Sequence, residues 1–271
     1  MYLTYSQIFI EISRELCFSM TKNSLINWSV FSILVLINVI HLLFANILFI
    51  ILRVAFVRNV LFDFMFDIFP IILFFSQVMV SGLLIFIGLY LGKEVGLGAP
   101  LLESWANKEV IHERVVSILK ISIGFGIIVA GAKFLLDRFI FSAFVPSLLM
   151  QWKQIPLGFI WLVPFNQGIG DEISYRLFWM TLLVWIIYKI QKPENKQPTQ
   201  IGVWIPIIIT TLFSVLEKTF WAAAPLVKLQ FIILSGIGGI IFGWLYWKKG
   251  IESAIIAHFT SNVLLVLLTF V

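Results

Sequence analysis

Apolar residues in this chain run in long, nearly unbroken blocks, and polar residues gather between them. The main blocks cover 28–51, 69–91, 115–136, 177–190, 201–216, 231–247 and 251–271. With their flanks, each approaches the roughly 20 residues that a helix needs to cross a bilayer. None shows the alternation of a membrane barrel strand. Backbone buried in lipid must satisfy its own hydrogen bonds, so the blocks predict helices. The expected fold is all-α: a polytopic membrane helix bundle of about seven transmembrane helices plus interfacial helices, forming a single membrane domain over 1–271.

The polar stretches refine this pattern. Residues 1–26 mix Glu11, Arg14, Glu15 and Lys22 with apolar residues. They predict an amphipathic interfacial lead-in rather than a cleaved leader. Residues 58–67 read as a linker, with Pro70 at the start of the second span, where proline is tolerated. The stretch 93–114 carries VGLGAPLLESW and then NKEVIHER. Its Gly and Pro residues break helix, so it predicts a loop with a short amphipathic helix and a solvated His112. Lys120 and Lys133, near the ends of the third span, are expected to snorkel. Residues 137–154 read as a loop or partly re-entrant piece, and 155–165 lead into the fourth passage. QKPENKQPTQ at 191–200 is the clearest hydrophilic loop. Gly236, Gly238, Gly239 and Gly243 suit close helix packing in lipid. His41, alone in the first span, fits a helix–helix hydrogen bonder.

Composition supports the membrane reading. Of 271 residues, 61% are hydrophobic and 12% charged, against roughly 25% charged in soluble domains. The net charge of +5 fits basic loops beside anionic lipid rather than a nucleic-acid partner. Counting spans puts the basic stretches 93–114, 189–196 and 248–249 on one side. They favour a cytoplasmic N-terminus, although Arg53, Arg58, Arg138 and Lys153 fall opposite. A single cysteine, Cys17, excludes an intramolecular disulfide and any CxxC site.

Candidate chemistry gathers in three late segments. GIGDEISYR (168–176) opens the fourth passage, and it places Asp171, Glu172 and Arg176 where lipid would exclude charge. Such residues are functional candidates by default. Glu172 and Arg176, four apart, share a helix face and can pair, which leaves Asp171 without an obvious local partner. Glu217 follows Phe213 by four residues. His258 and Asn262 are also four apart. Carboxylates, an imidazole and an amide are the parts of a site that activates water and stabilises an oxyanion. The plainer alternative is a buried hydrogen-bond network that locks three helices.

These residues resemble the CPBP family, the CAAX-prenyl-protease and bacteriocin-processing intramembrane proteases. GDEISYRLFWMTLLVW is similar to the family's first motif, two Glu, three residues, then Arg. HFTSN (258–262) fits its last, His, three residues, then Asn or Asp. GIIFGWLYWKKGIESAIIAH resembles the last hairpin of bacterial members, and VGLGAPLLESW an upstream loop of one bacterial branch. The resemblance covers about 95–265, with the site-bearing core at 166–265. Two positions depart from it. Asp171 stands for the first Glu, held to be the water-activating base. In the middle motif, aligned on Phe213, Glu217 stands where His is expected.

The resemblance implies an integral protein of a bacterial cytoplasmic membrane that cleaves a peptide bond in a peptide or membrane-protein substrate. In that scheme Asp171, with Glu217, deprotonates water. Glu172 and Arg176 orient the base, and His258 and Asn262 hold the oxyanion. No cofactor is expected. Asp171, Glu172, Glu217 and His258 could in principle ligate a divalent cation, a reading ranked below metal-free chemistry. Other readings stay open. A catalytically inactive relative would act as a membrane binding, immunity or accessory protein, and the two departures favour it. GIGD also matches the GxGD motif of presenilin-type proteases, but no second Asp lies on the preceding helix. Proton-coupled transport is a third class, and no inverted repeat supports it.

Overall fold

The apolar blocks fold as helices that lengthen into their polar flanks, because intrahelical hydrogen bonds remain favourable up to the headgroups. The computed structural model describes residues 26–56, 63–145, 160–220, 224–268 and 270. In chain order the elements are α1 (Trp28–Phe56), α2 (Asp63–Val95), α3 (Pro100–Ala106), α4 (His112–Phe139), a 3-10 turn (Phe141–Ala143), α5 (Leu162–Asp171), a π-helix (Glu172–Met180), α6 (Thr181–Gln191), α7 (Gln200–Phe220), α8 (Pro225–Lys249) and α9 (Ile251–Leu268). Every regular element among the described residues is helical. Among the described residues seven helical segments are long and apolar enough to cross a membrane, with α5, the π-helix and α6 forming one continuous span.

Several sequence expectations shift in detail. Residues 1–25 of the lead-in and 58–62 of the 58–67 linker lie outside the described residues. Helix α2 begins at Asp63, so Pro70 falls within it rather than at its start. Helix α4 continues through Asp137, so the loop expected from that residue starts later. Residues 146–159 of that loop and of the lead into the fourth passage are not described. The expected short helix in 93–114 is α3, and His112 is exposed.

One core unites the spans. Val30 and Leu34 of α1, Ile85 and Leu89 of α2, Val129 of α4, Ile173 and Leu177 of the π-helix, Val203 and Ile207 of α7, and Phe242 and Leu245 of α8 bury together. Helix α2 comes so near the π-helix at Gly88 that a Cβ there would lie 2.3 Å from the Leu177 carbonyl oxygen. Gly88→Ala is therefore expected to lower the thermal midpoint in detergent by the equivalent of about 2 kcal/mol, a typical overpacking cost. An unchanged midpoint would rule out this close approach.

At one end of the bundle the loop after α2 is tied to the α8–α9 turn. The Ile251 amide donates to the Gly98 carbonyl at 3.0 Å. The Glu252 carboxylate accepts the Leu101 and Leu102 amides, each at 2.9 Å. Gly250 turns the chain with φ of 93°, and any Cβ there would overlap the Pro100 ring, so the position requires glycine. Lys189 pairs with Glu94 at 2.6 Å. The ends of α2, α6 and α8 and the starts of α4 and α9 thus gather on this side, together with the basic stretches.

Candidate active site

The span that carries the site does not stay α-helical. From Glu172 to Met180 its backbone takes the wider π form, a device common at functional sites. The wider turn helps Asp171, Glu172, Tyr175 and Arg176 share one wall of a cavity of about 280 Å³. Helix α9 supplies His258 and Asn262, α7 supplies Ser214 and Lys218, α4 supplies Lys133 and Asp137, and Gly238 and Gly239 of α8 close the far side.

Glu172 is the hub. Its side chain is 1% exposed, and its Oε1 lies 2.8 Å from His258 Nδ1. Its Oε2 lies 3.5 Å from Arg176 Nε. The Arg176 guanidinium donates to the Gly239 carbonyl at 2.9 Å and to Thr210 Oγ1 at 3.4 Å. A bulkier residue at Gly239 would drive its Cβ into Thr211, at 2.5 Å, so glycine here admits the close α7–α8 approach beside the arginine. His258 stacks on the Phe242 ring, with centroids 4.6 Å apart and planes 22° apart. The imidazole is thus fixed by a carboxylate on its edge and an aromatic ring on its face. With Nδ1 held by Glu172, Nε2 is the nitrogen left for chemistry. One turn on, the Asn262 amide donates to Gln167 Oε1 at 3.4 Å.

Asp171 has a partner that its own helix does not supply. Lys218 Nζ donates to its Oδ2 at 2.8 Å, and both side chains are about one-quarter exposed. Glu217 lies elsewhere. It is exposed, and it accepts the Tyr175 hydroxyl in an adjoining groove of about 430 Å³ lined by α1, α2, the end of α5 and the π-helix, which shares Asp171 and Tyr175 with the cavity. Phe213 is also outward, edge-on to Trp179 at 6.0 Å. The residues of α7 that face the cavity are Ser214 and Lys218, with Thr210 a turn earlier on the same stripe against Arg176, rather than Phe213 and Glu217.

The structure therefore brings Asp171, Glu172, Arg176, His258 and Asn262 onto one cavity and leaves Glu217 outside it. Sequence reasoning missed Lys218, Lys133, Ser214 and Tyr175. Lys133 does not simply snorkel: it lines the cavity, with its Nζ 3.1 Å from where a Gly238 Cβ would stand. The signal for α7 is the spacing 210, 214, 218 of polar residues, one position off the stripe of Phe213 and Glu217. The glycines of GIGD have a packing explanation. Gly168 lets Phe259 of α9 approach, and Gly170 lies against the His41 ring, where a Cβ would meet it at 2.8 Å. Among the described residues no three His, Cys, Asp or Glu side chains converge as a metal-ligand set.

An all-helical bundle with a carboxylate–imidazole pair and an acid–lysine pair around a cavity within its spans is a membrane protein with a polar intramembrane site. Residues 151–264 match the family model described as Type II CAAX prenyl endopeptidase Rce1-like. Over those residues the chain carries an Rce1-like domain, in agreement with the resemblance to the CPBP family. No curated protein and no solved structure matches the chain.

Proposed function

We propose that this protein is an intramembrane endopeptidase that hydrolyses a peptide bond of a peptide or membrane-protein substrate with water activated by its own side chains, without a metal. The observation that carries this reading is the convergence of Glu172 and Arg176 with His258 and Asn262, from two distant helices, on the cavity that also holds the Asp171–Lys218 pair. The Glu172 carboxylate accepts a hydrogen bond from His258 Nδ1–H and leaves Nε2 as a base toward the cavity, the logic of carboxylate-backed histidines. His258 takes a proton from water as the hydroxide oxygen bonds the substrate carbonyl carbon. The Lys218 ammonium, held by Asp171, and the Asn262 amide face the resulting oxyanion. As the C–N bond breaks, the imidazolium returns its proton to the leaving amine. This exchanges the parts expected of Asp171 and His258 from sequence. Glu217 takes no part.

The test is cleavage of a peptide library by the full chain reconstituted in liposomes. Asp171→Asn is expected to lose on the order of a hundredfold, the scale for one oxyanion-stabilising group. Glu217→Gln stays within about threefold of wild type, in the range of surface changes away from a site. Equal losses in both variants would return Glu217 to the mechanism. An inactive binding relative is the second reading, favoured by the ion pair that engages Asp171. Cleavage absent in wild type across the whole library would leave that reading standing. The same family placement and the clustering of the basic stretches support a bacterial cytoplasmic membrane with the start of α1 on the cytoplasmic side.

A further inference from the structure

A second cavity, of about 490 Å³, lies at the basic end of the bundle, away from the hydrolytic site. Its walls are the end of α2 with the loop at 96–100, the start of α4 and the end of α8. Lys93, Arg114, Lys248 and Lys249 line it, with Glu103 as the one carboxylate on its wall. Of the other carboxylates at this end, Glu94 pairs with Lys189 and accepts the Trp185 indole, Glu252 accepts two backbone amides, and the exposed Glu109, Glu113 and Glu194 lie off the cavity wall. The cations are placed by local contacts. Arg114 donates to Ser104 Oγ at 2.5 Å, and Lys248 lies 3.6 Å from the Trp247 ring centroid.

The depth of this cavity matches lipid phosphates. Arg114 and Lys249 stand at the ends of membrane spans, with Trp247 beside them, the aromatic and basic belt of a bilayer interface. Farther along α4 from Arg114, on a face turned away from the cavity, Leu119 and Ile123 are exposed to the bilayer. Above Arg114, Trp105 of α3 and Val110 are exposed, as suits a segment resting in the headgroup layer. Loop backbone around Gly96 and Gly98, without side chains, leaves room for a headgroup between the cations.

We infer that this cavity binds the phosphate of an anionic glycerophospholipid, clamped by Arg114, Lys248 and Lys249. Its occupant spans α2, α4 and α8 and braces the Gly250 turn from which the His258 helix starts. The inference does not depend on proteolysis.

The test uses the delipidated full chain in a neutral detergent and follows thermal unfolding during titration with short-chain phosphatidylglycerol, phosphatidylcholine or inorganic phosphate. A saturable rise with phosphatidylglycerol alone is expected. Arg114→Gln combined with Lys249→Gln should weaken its apparent affinity by roughly thirtyfold, the scale for two interfacial basic residues. Arg138→Gln combined with Lys228→Gln, which removes the same charge at the opposite end, should leave it unchanged. If the first pair of changes lowers the unliganded midpoint too far to titrate, Lys248→Gln alone is read in the same way. Equal stabilisation by phosphatidylcholine, equal loss in both double variants, or the same rise with inorganic phosphate would each overturn the inference. The last would make this an aqueous anion site.

Discussion

Replacing His258 by alanine is expected to abolish hydrolysis in reconstituted bilayers, with a loss on the order of a thousandfold or more. The ring is the one group on the cavity that a carboxylate orients through one nitrogen while the other remains for the substrate. In the proposed mechanism, removing it takes away both the acceptor of the water proton and the donor to the leaving amine. Glu172→Gln should lose a comparable amount for a different reason. An amide can present its N–H to Nδ1 and so favour the tautomer whose Nε2 is protonated and cannot act as a base. The two effects should not add, because both disable one unit. The measurement is the initial cleavage rate of the best library peptide in liposomes. Activity retained within threefold in His258→Ala would move the base to another residue, with Asp171 first in line.

The second large effect is on stability. Arg176→Leu should cost about 3 kcal/mol, the lower range for removing one partner of a buried ion pair. The guanidinium is 3% exposed and meets Glu172, Thr210 and the Gly239 carbonyl. Its loss leaves a buried carboxylate held only by an imidazole and a carbonyl without its side-chain donor. The double change Glu172→Gln with Arg176→Leu should recover part of the loss, because no uncompensated charge remains. Chemical unfolding in mixed micelles reads both. A single-variant cost below about 0.5 kcal/mol, the scale of a surface change, would mean that the pair contributes little to the bundle.

Much of the architecture was legible because lipid allows the backbone few choices. Length and apolarity alone located seven spans, and the charges that remained inside them marked the polar site. Glu172 with Arg176, and His258 with Asn262, could be paired by spacing because each pair lies on one continuous helix. The partner of Asp171 was not legible in that way. Lys218 comes from another helix, and identifying it requires the rotation of α7 about its axis. A stripe with the same four-residue spacing, Phe213 to Glu217, sits one position away, which on a helix is about 100°. The close approach of Thr211 to Gly239 seats α7 against α8 in that rotation. Lys133 was hidden by its position near a span end, where a lysine usually reaches out to the headgroups. Gly238 instead gives it room inward.

The π-helix makes the number of residues in this span matter as much as their identities. Between Glu172 and Met180 the backbone bonds skip one residue more than an α-helix does, so the segment holds length that a regular helix would not need. Deleting one residue from 177–180, without touching any charged side chain, would let the segment relax to α geometry. It would also rotate α6 relative to Asp171, Glu172 and Arg176, while Gly88 and Thr181 still anchor their neighbours. A chain trimmed in this way would keep every acid, base and amide of the site yet lose their common wall. Insertions and deletions here are thus as informative about relatives of this protein as substitutions at the reacting groups.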